Sequence, residues 1–322
     1  MHYLITGGAG FIGSHLAESL LQQGHFVSVI DDLSTGSIRN LAPFRNHQRF
    51  QCVIETIMNV AALAVLVERA DVIFHLAAAV GVRLIIDSPV RTIETNIKGT
   101  EHVLECANKG KKKVILASTS EVYGKAEKVP YSEEDDLVLG STFKSRWSYA
   151  CSKAIDEFLG LAYWKEKGLP VTVVRLFNTV GPRQTGQYGM VIPTFIKQAL
   201  LGHPITVFGD GEQSRCFCHV RDVISVLIRL SEHPDVAGQI YNVGSDEEIT
   251  MNRLAGLVKN LTGSASFIHH VPYNEAYEEG FEDMRRRIPD TSRIQRLLGF
   301  GPVHKIEDIL KDVIEYQRNE TI

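Results

Sequence analysis

Short apolar runs alternate with amphipathic segments along the first half of the chain. The apolar runs are YLITG, FVSVID, DVIFHLA, KKVILAS and VTVVRLF. Nearly continuous apolar runs of this length are typical of parallel strands that are buried on both faces of a sheet. The segments between them, such as IGSHLAESLLQQG, carry apolar residues at helical spacing. This pattern predicts an α/β fold, a doubly wound parallel sheet of the Rossmann type.

The pattern changes after Arg175, where a glycine-rich polar loop begins. Beyond it we predict helices at VIPTFIKQALLG, RDVISVLIRLSEHP, MNRLAGLVKNLTG and IEDILKDVIEYQ, two short strands around a Gly-Asp-Gly turn, and a strand at GQIYNVG. These elements predict a smaller C-terminal α/β domain for a substrate, formed by residues 177–221 and 246–322. Residues 1–176 and 222–245 are then the dinucleotide-binding domain.

Three glycines lie between the first predicted strand and the first predicted helix, at Gly7, Gly10 and Gly13. The first permits a tight turn, the second allows the backbone to approach a pyrophosphate, and the third lets the helix pack on the strand. The unpaired N–H groups at the helix N-terminus favour phosphate binding there. The spacing therefore predicts a dinucleotide site.

The acidic residue Asp31 ends the second predicted strand. A carboxylate at this point accepts hydrogen bonds from the adenosine ribose and repels a 2′-phosphate, which favours NAD over NADP. The alternative role for Asp31 is to cap a turn.

Tyr149 and Lys153 are four residues apart and would share one face of a helix. An ammonium group and a cationic nicotinamide would both stabilise a tyrosinate, so Tyr149 could act as a base near neutral pH. Such a pair alone is more often a surface contact. Together with the glycine loop and with Thr119 at a strand end, it predicts a catalytic pair.

Composition excludes several other classes of function. The chain has 22% charged and 44% hydrophobic residues and a formal net charge of −4, which is typical of a soluble enzyme and gives no reason to expect a nucleic-acid partner. We expect no secretory signal and no membrane span, since the longest apolar runs are about half of what a bilayer requires. Five scattered cysteines indicate a reducing compartment, so we expect a cytoplasmic protein. Cys216, Cys218 and His219 are too few for a metal site, and no metal is predicted.

Motifs along nearly the whole chain resemble those of the extended short-chain dehydrogenase/reductase family, specifically its nucleotide-sugar epimerases, decarboxylases and dehydratases. They are TGGAGFIG, DDLSTG, HLAA, TNIKGT, STSEVYG, YACSK, FNTVGPR, GDGEQSRCF and RRRIPD. The resemblance implies a UDP-sugar substrate, a tightly bound NAD that is used transiently, and a homodimer. It departs from the family at Glu55 and Thr56, where many relatives have a Gly-Asp pair that touches the adenine.

The resemblance also assigns roles to residues of this chain. Tyr149 takes the proton of the sugar 4-hydroxyl while hydride leaves carbon 4, Thr119 bonds the same oxygen, and Lys153 holds the nicotinamide ribose. The catalytic residues are Thr119, Ser120, Glu121, Tyr149 and Lys153. The cofactor-binding residues are Gly7, Gly10, Phe11, Ile12, Gly13, Asp31, Asp32, Ser34, Thr35, Gly36, Leu76, Ala77, Ala78, Asn96, Tyr149 and Lys153. The substrate-binding residues are Thr119, Ser120, Asn178, Arg183, Arg215 and Arg287. His75 is interpreted as a buried packing residue beside the cofactor.

The fate of the 4-keto sugar depends on the residues after Thr119. Relatives that eliminate water have Asp-Glu there, so Ser120 argues against dehydration. Thr-Ser-Glu resembles UDP-glucuronate decarboxylases, whereas WSYACSKAIDEF and GPRQTGQYGMVIPTF resemble 4-epimerases. We place a 4-epimerase that converts UDP-glucuronate to UDP-galacturonate first, a UDP-glucuronate decarboxylase second and a UDP-hexose 4-epimerase third. In the epimerase the hydroxyls of Ser118, Thr119 and Ser120 would hold the carboxylate. A non-catalytic NAD-binding scaffold is disfavoured because Thr119, Tyr149 and Lys153 are all present.

Overall fold

The structure is a computed structural model that describes residues 1–79, 88–186, 190–272, 275 and 284–321. The strands are β1 (His2–Thr6), β2 (Phe26–Asp31), β3 (Phe50–Ile54), β4 (Val72–His75), β5 (Lys113–Thr119), β6 (Val171–Leu176), β7 (Thr179–Val180), β8 (Ile205–Phe208), β9 (Ser214–Cys216), β10 (Cys218–His219), β11 (Ile240–Val243), β12 (Glu248–Thr250) and β13 (Ile268–Val271). The helices are α1 (Phe11–Gln22), α2 (Val60–Arg69), α3 (Pro89–Lys109), α4 (Arg146–Lys167), α5 (Val191–Leu200), α6 (Val220–Glu232), α7 (Met251–Thr262), α8 (Ser292–Leu298) and α9 (Ile306–Thr321). Three 3₁₀ helices cover Ile38–Phe44, Ser120–Tyr123 and Pro234–Val236.

Seven strands form the main sheet in the order β11-β6-β5-β4-β1-β2-β3, and all neighbouring pairs are parallel. The predicted doubly wound Rossmann fold is therefore confirmed. The strand order reverses between β1 and β4, which is the switch point where open α/β sheets bind ligands beyond the carboxyl ends of their strands. The glycine loop, which follows β1, and the carboxyl end of β5 both lie on this side of the sheet.

Apolar side chains pack on both faces of this sheet. One core lies under α1 and α6 and includes Leu16 and Val223. The other lies under α2 and α3 and includes Leu63 and Val103. Burial of side chains on two faces explains why the strand sequences are apolar throughout instead of alternating.

A separate core lies in the C-terminal half, between α5, α7, α9 and β8. This agrees with a second α/β unit, although the boundary positions stay a prediction. Both strands predicted around the Gly-Asp-Gly turn are present as β8 and β9. They pair with β13 and β12 and not with each other.

Cys216 and Cys218 lie in two different short strands, and burial raises the pKa of both thiols, that of Cys216 to about 12. Within the described ranges, no three or more His, Cys, Asp or Glu side chains are grouped so that they could hold a metal ion. No helix there is long and apolar enough to cross a membrane.

His75 at the end of β4 is the buried packing residue that the sequence indicates. Its Nδ1 lies 2.8 Å from Oγ1 of Thr6 and its Nε2 lies 3.0 Å from Oγ1 of Thr100. Burial, and secondarily the ammonium of Lys153, lowers the pKa of His75 to about 3. The imidazole is therefore neutral at physiological pH and holds two hydroxyls in place.

This burial predicts a loss of stability in mild acid. The unfolded chain binds a proton near pH 6.5 and the folded chain near pH 3, so the contribution is present above pH 6.5 and is lost as the pH falls towards 3. We expect His75 to reduce the free energy of unfolding by about 1.4 kcal/mol between pH ~7.5 and ~5.5. Urea unfolding of wild type and His75→Gln at both pH values measures this difference. The control variant is His47→Gln, at an exposed position, which should keep the wild-type dependence of the free energy of unfolding on pH. If His75→Gln kept that same dependence, the assignment to His75 would be refuted.

Candidate active site

A cleft of about 760 Å³ opens at the carboxyl ends of the central strands, at the switch point of the sheet. Most of the residues assigned from the sequence line it. These are Gly7, Gly10, Phe11, Ile12, Gly13, Asp31, Asp32, Ser34, Thr35, Leu76, Ala77, Ala78, Thr119, Ser120, Glu121, Tyr149, Lys153, Asn178, Arg215 and Arg287. Residues from both halves of the chain thus face one cavity.

The glycine loop has a backbone that side chains would obstruct. Gly7 has φ +72°, and a Cβ there would lie 2.8 Å from the backbone nitrogen of Ala77. A Cβ on Gly13 would lie 2.3 Å from the carbonyl oxygen of Gly7, whereas a Cβ on Gly10 would meet only that oxygen, at 3.1 Å. Gly10 therefore leaves open the space in front of the N-terminus of α1, and this cradle fits the pyrophosphate of a dinucleotide.

Asp31 has the second of its two predicted roles, that of a turn cap. Its carboxylate accepts the N–H of Ala9 at 2.9 Å and the N–H of Leu33 at 2.8 Å, so it does cap the turn. Burial is the largest influence on Asp31 and raises its pKa, against the effect of these hydrogen bonds. Gly36 lies behind it, since a Cβ there would be 2.9 Å from Oδ1. Carboxylate oxygens have further lone pairs, so hydrogen bonding of a ribose stays a prediction.

Three residues assigned to ligand binding, Gly36, Asn96 and Arg183, are not among the described residues that line the cleft. Asn96 accepts the N–H of Ala79 at 2.8 Å and donates to Oγ of Ser152 at 3.0 Å, so it connects the loop after β4 to α4. Arg183 forms a salt bridge with Glu18 of α1 at 2.6 Å. The sequence placed Asn96 and Arg183 as direct contacts, but in the structure they support the walls of the cleft.

Tyr149 lies in the first turn of α4 and forms a hydrogen bond with Thr119, the pair expected at the sugar oxygen. Burial raises the pKa of Tyr149 strongly, the carboxylates of Glu121 and Asp156 raise it further, and the bond to Thr119 opposes them. That Lys153 lowers this pKa together with a bound nicotinamide stays a prediction. Its Nζ forms a salt bridge with Oδ2 of Asp156 at 2.7 Å, so its charge is balanced.

Ser118 does not serve as the donor to a substrate carboxylate that the sequence suggested. Its hydroxyl donates to Oε1 of Glu157 at 2.5 Å, and Glu157 forms a buried salt bridge with Arg175 at 2.7 Å. The guanidinium of Arg175 also lies over the ring of Tyr123, 4.7 Å from its centroid. This polar cluster anchors the end of β5 and leaves Thr119 and Ser120 facing the cleft.

Glu121 lies between two arginines at the edge of the catalytic pair. Nη2 of Arg287 is 2.6 Å from Oε1 of Glu121, and Nη2 of Arg146 is 3.5 Å from Oε2. Burial acts to raise the pKa of Glu121, but the two arginines outweigh it and the pKa is lowered, so this carboxylate is ionised. Nη1 of Arg287 also reaches Oγ of Ser120, at 3.5 Å.

Sequence reasoning missed Arg146. The available signal was its position three residues before Tyr149, which places both side chains on the same face of α4. The cleft also has lining residues that no local motif marks, including Thr206 and Phe208. On the opposite side, Glu55 and Thr56 line the cleft where the family has its Gly-Asp pair.

Asn178 and Arg215 lie on the side of the cleft formed by the C-terminal half. Nδ2 of Asn178 donates to the carbonyl of Cys216 at 2.9 Å, and Nη1 of Arg215 donates to the carbonyl of Ser214 at 2.8 Å. Both side chains are thus oriented by β9. With Arg287 they provide amide and guanidinium groups of the kind that binds a nucleotide diphosphate.

Comparisons with known proteins agree with this geometry. A family model described as GDP-mannose 4,6 dehydratase matches residues 4–313. The chain is 44% identical over 316 residues to a UDP-N-acetyl-α-D-glucosaminuronate decarboxylase of Bacillus cytotoxicus, covering 98% of this chain and 97% of that protein. It is 37% identical to UDP-glucuronic acid decarboxylase 1 of Xenopus tropicalis, covering 98% of this chain and 72% of that one.

Solved structures show the same architecture. A UDP-glucuronic acid 4-epimerase from Bacillus cereus, in complex with UDP-glucuronic acid and NAD, superposes with a TM-score of 0.89 at 29% identity and covers 99% of this chain and 100% of its own. A UDP-glucose 4-epimerase from Thermotoga maritima, with UDP-glucose, also has a TM-score of 0.89, at 32% identity and full coverage of both chains. From its glycine loop, its Tyr149–Lys153 pair and these matches, the chain belongs to the GDP-mannose 4,6-dehydratase-like group of the extended short-chain dehydrogenase/reductase family, a group of nucleotide-sugar enzymes.

Proposed function

We propose that this chain is an NAD-dependent decarboxylase of a UDP-hexuronate. The observation that carries the proposal is the ionised Glu121 held between Arg287 and Arg146 beside Thr119 and Tyr149. A uronate brings a carboxylate that these two guanidiniums could bind in addition to Glu121, whereas the sugar of a neutral hexose has no such group. The 44% identity to a uronate decarboxylase over nearly the full length supports the same conclusion.

The first half of the proposed reaction is oxidation at carbon 4. Tyr149 and Thr119 hold the 4-hydroxyl between them, and Tyr149 takes its proton. The chemistry that NAD supplies when bound is reversible acceptance of the hydride from carbon 4. Asp31 and the glycine loop are the residues that would hold its adenosine and pyrophosphate, and Lys153 would hold its nicotinamide ribose.

The second half uses the charge arrangement at Glu121. A 4-keto uronate is a β-keto acid, and the electron pair left when carbon dioxide departs moves towards the oxygen on carbon 4, where Thr119 and Tyr149 stabilise it. The substrate carboxylate must share Arg287 with Glu121, so departure of neutral carbon dioxide removes a repulsion between two carboxylates. Carbon 5 then takes a proton from water, the hydride returns to carbon 4, and Tyr149 returns its proton to the oxygen on that carbon.

Epimerisation, which the sequence analysis placed first, is the second candidate. It is supported by the structural likeness to the UDP-glucuronic acid 4-epimerase. An epimerase must turn the keto sugar over inside the cleft while keeping its carboxylate. The pairing of Arg287 with Glu121 and Ser120 on one side of the sugar site favours a fixed orientation, and the curated relatives favour decarboxylation.

The test uses purified protein with NAD and three separate substrates, which are UDP-N-acetylglucosaminuronate, UDP-glucuronate and UDP-glucose. We expect loss of carbon dioxide from a uronate, read by mass spectrometry, with the N-acetylated uronate as the better substrate. A new isomer of unchanged mass would show epimerisation instead. Turnover of UDP-glucose with neither uronate affected would overturn the proposal.

We also propose a cytoplasmic homodimer. Helices α3 and α4 pack on each other and leave apolar side chains in solvent, among them Phe158 at 70% exposure and Val90 at 69%. Burial of these side chains against a second copy would stabilise a dimer. Light scattering after gel filtration measures the molecular mass of the wild-type protein and of Phe158→Glu. The wild type should have the mass of a dimer and the variant that of a monomer.

A further inference from the structure

Lys153 and Asp156 form a buried ion pair one helical turn behind Tyr149. Nζ of Lys153 is 2.7 Å from Oδ2 of Asp156, and the two side chains are only 4% and 1% exposed. A buried ammonium without a counter-charge is strongly unfavourable. Asp156 therefore accounts for how a charged lysine can lie under the cleft.

The charged groups around this pair come from several elements. On α4 itself, Glu157 is engaged by Arg175 of β6. From β4, His75 faces Lys153 and is neutral, since burial lowers its pKa to about 3. Burial raises the pKa of Asp156, and Lys153 and the hydroxyl of Thr100 on α3 oppose that rise. In the described part of the chain, Asp156 is the acidic side chain that pairs with Lys153.

The same surroundings act on Tyr149. After burial, the carboxylates of Glu121 and Asp156 are the groups that raise its pKa. Glu121 is balanced by Arg287, Arg146 and the more distant Arg215. Asp156 therefore acts on Tyr149 from the side of the lysine and opposes the positive charge of Lys153.

We propose that Asp156 is a positioning residue of the active site, which fixes Lys153 and balances its charge so that Tyr149 stays basic enough to take the proton of the sugar hydroxyl. The inference rests on the proposed function only in requiring a cycle of oxidation and reduction at carbon 4. In such a cycle Tyr149 is first a base and then an acid. A lysine without its counter-ion, next to a cationic nicotinamide, would lower the pKa of Tyr149, and the tyrosinate would then be a weaker base towards the sugar hydroxyl.

The experiment measures the ionisation of Tyr149 directly. Ultraviolet difference spectra between NAD-saturated protein and its Tyr149→Phe variant, recorded against pH, report the tyrosinate without any sugar substrate. In Asp156→Asn, which keeps the shape but removes the charge, we expect the midpoint to move to lower pH by about half a unit or more. The pH profile of kcat should move in the same direction.

Matched variants separate this role from a structural one. Glu166→Gln removes a carboxylate from the exposed end of the same helix and should leave the midpoint unchanged. If Asp156→Asn does not fold, Lys153→Met is compared with the double variant Lys153→Met/Asp156→Asn, where the double variant should ionise at lower pH. The inference is overturned if the midpoint of Tyr149 ionisation does not fall when Asp156 is changed, in whichever of these two comparisons is made. If the midpoint falls but no uronate is decarboxylated, only the proposed function fails.

Discussion

Replacing Tyr149 by phenylalanine is expected to lower kcat by about 10³-fold, because the hydroxyl that exchanges a proton with the sugar is removed. The phenyl ring preserves the packing of the side chain and removes its hydrogen bond to Thr119. We therefore expect the folding stability and the affinity for NAD to stay close to the wild-type values. Product formation from the best uronate, followed by mass spectrometry, measures the loss.

The control for this prediction is Tyr163→Phe, on the same helix but outside the cleft. It should retain wild-type turnover. Turnover by Tyr149→Phe at the parent rate would contradict the catalytic assignment and would favour the non-catalytic NAD-binding scaffold. Measurement of NAD binding by both variants separates a lost proton transfer from a lost cofactor.

Replacing Arg287 by glutamine is expected to lower kcat/KM for the uronate by at least about 10²-fold. The change removes the guanidinium that is 2.6 Å from Glu121 and leaves Arg146, at 3.5 Å, as the nearest cation that the described residues place beside that carboxylate. Loss of one member of a buried, hydrogen-bonded charge pair costs about 3 to 5 kcal/mol, part of which is expressed here as weaker substrate binding. Steady-state kinetics with the uronate, and unfolding in urea, measure the two parts.

The adjacent residue Arg286 gives a matched control. It is exposed, pairs with Glu248 at 2.8 Å and is not among the described residues that line the cleft. Arg286→Gln should therefore keep the wild-type kcat/KM. Arg287→Gln could lose stability while the protein that stays folded turns over the uronate at the normal rate. In that case the arginine would be structural and the uronate would have to be bound elsewhere.

Agreement between sequence and structure is closest where the chemistry depends on neighbouring residues in the chain. Gly7, Gly10 and Gly13 need only a strand, a turn and a helix start to define a phosphate cradle, and the four-residue spacing of Tyr149 and Lys153 needs only one helix. The resemblance to the family and the NAD-type acidic residue Asp31 follow from the same local motifs. Thr119 could be placed beside Tyr149 because it ends a strand of a parallel sheet.

The sequence-based assignments differ from the structure where a side chain could pair with any of several residues. Arg183 belongs to one of the family motifs, yet it forms a salt bridge with Glu18 of α1. Ser118 donates a hydrogen bond to Glu157. Local spacing contains no information on such pairs, since their members are separated by tens to hundreds of positions.

The amino-acid sequence by itself determined the fold class, the dinucleotide loop and the Tyr149–Lys153–Thr119 constellation, because each depends on periodicity or spacing within one or two elements. Only the tertiary structure decided that Lys153 is balanced by Asp156 and that Glu121 lies ionised between Arg146 and Arg287. Charge balance depends on distance and burial in three dimensions, because the interaction between two charges is set by their separation and by the water excluded around them.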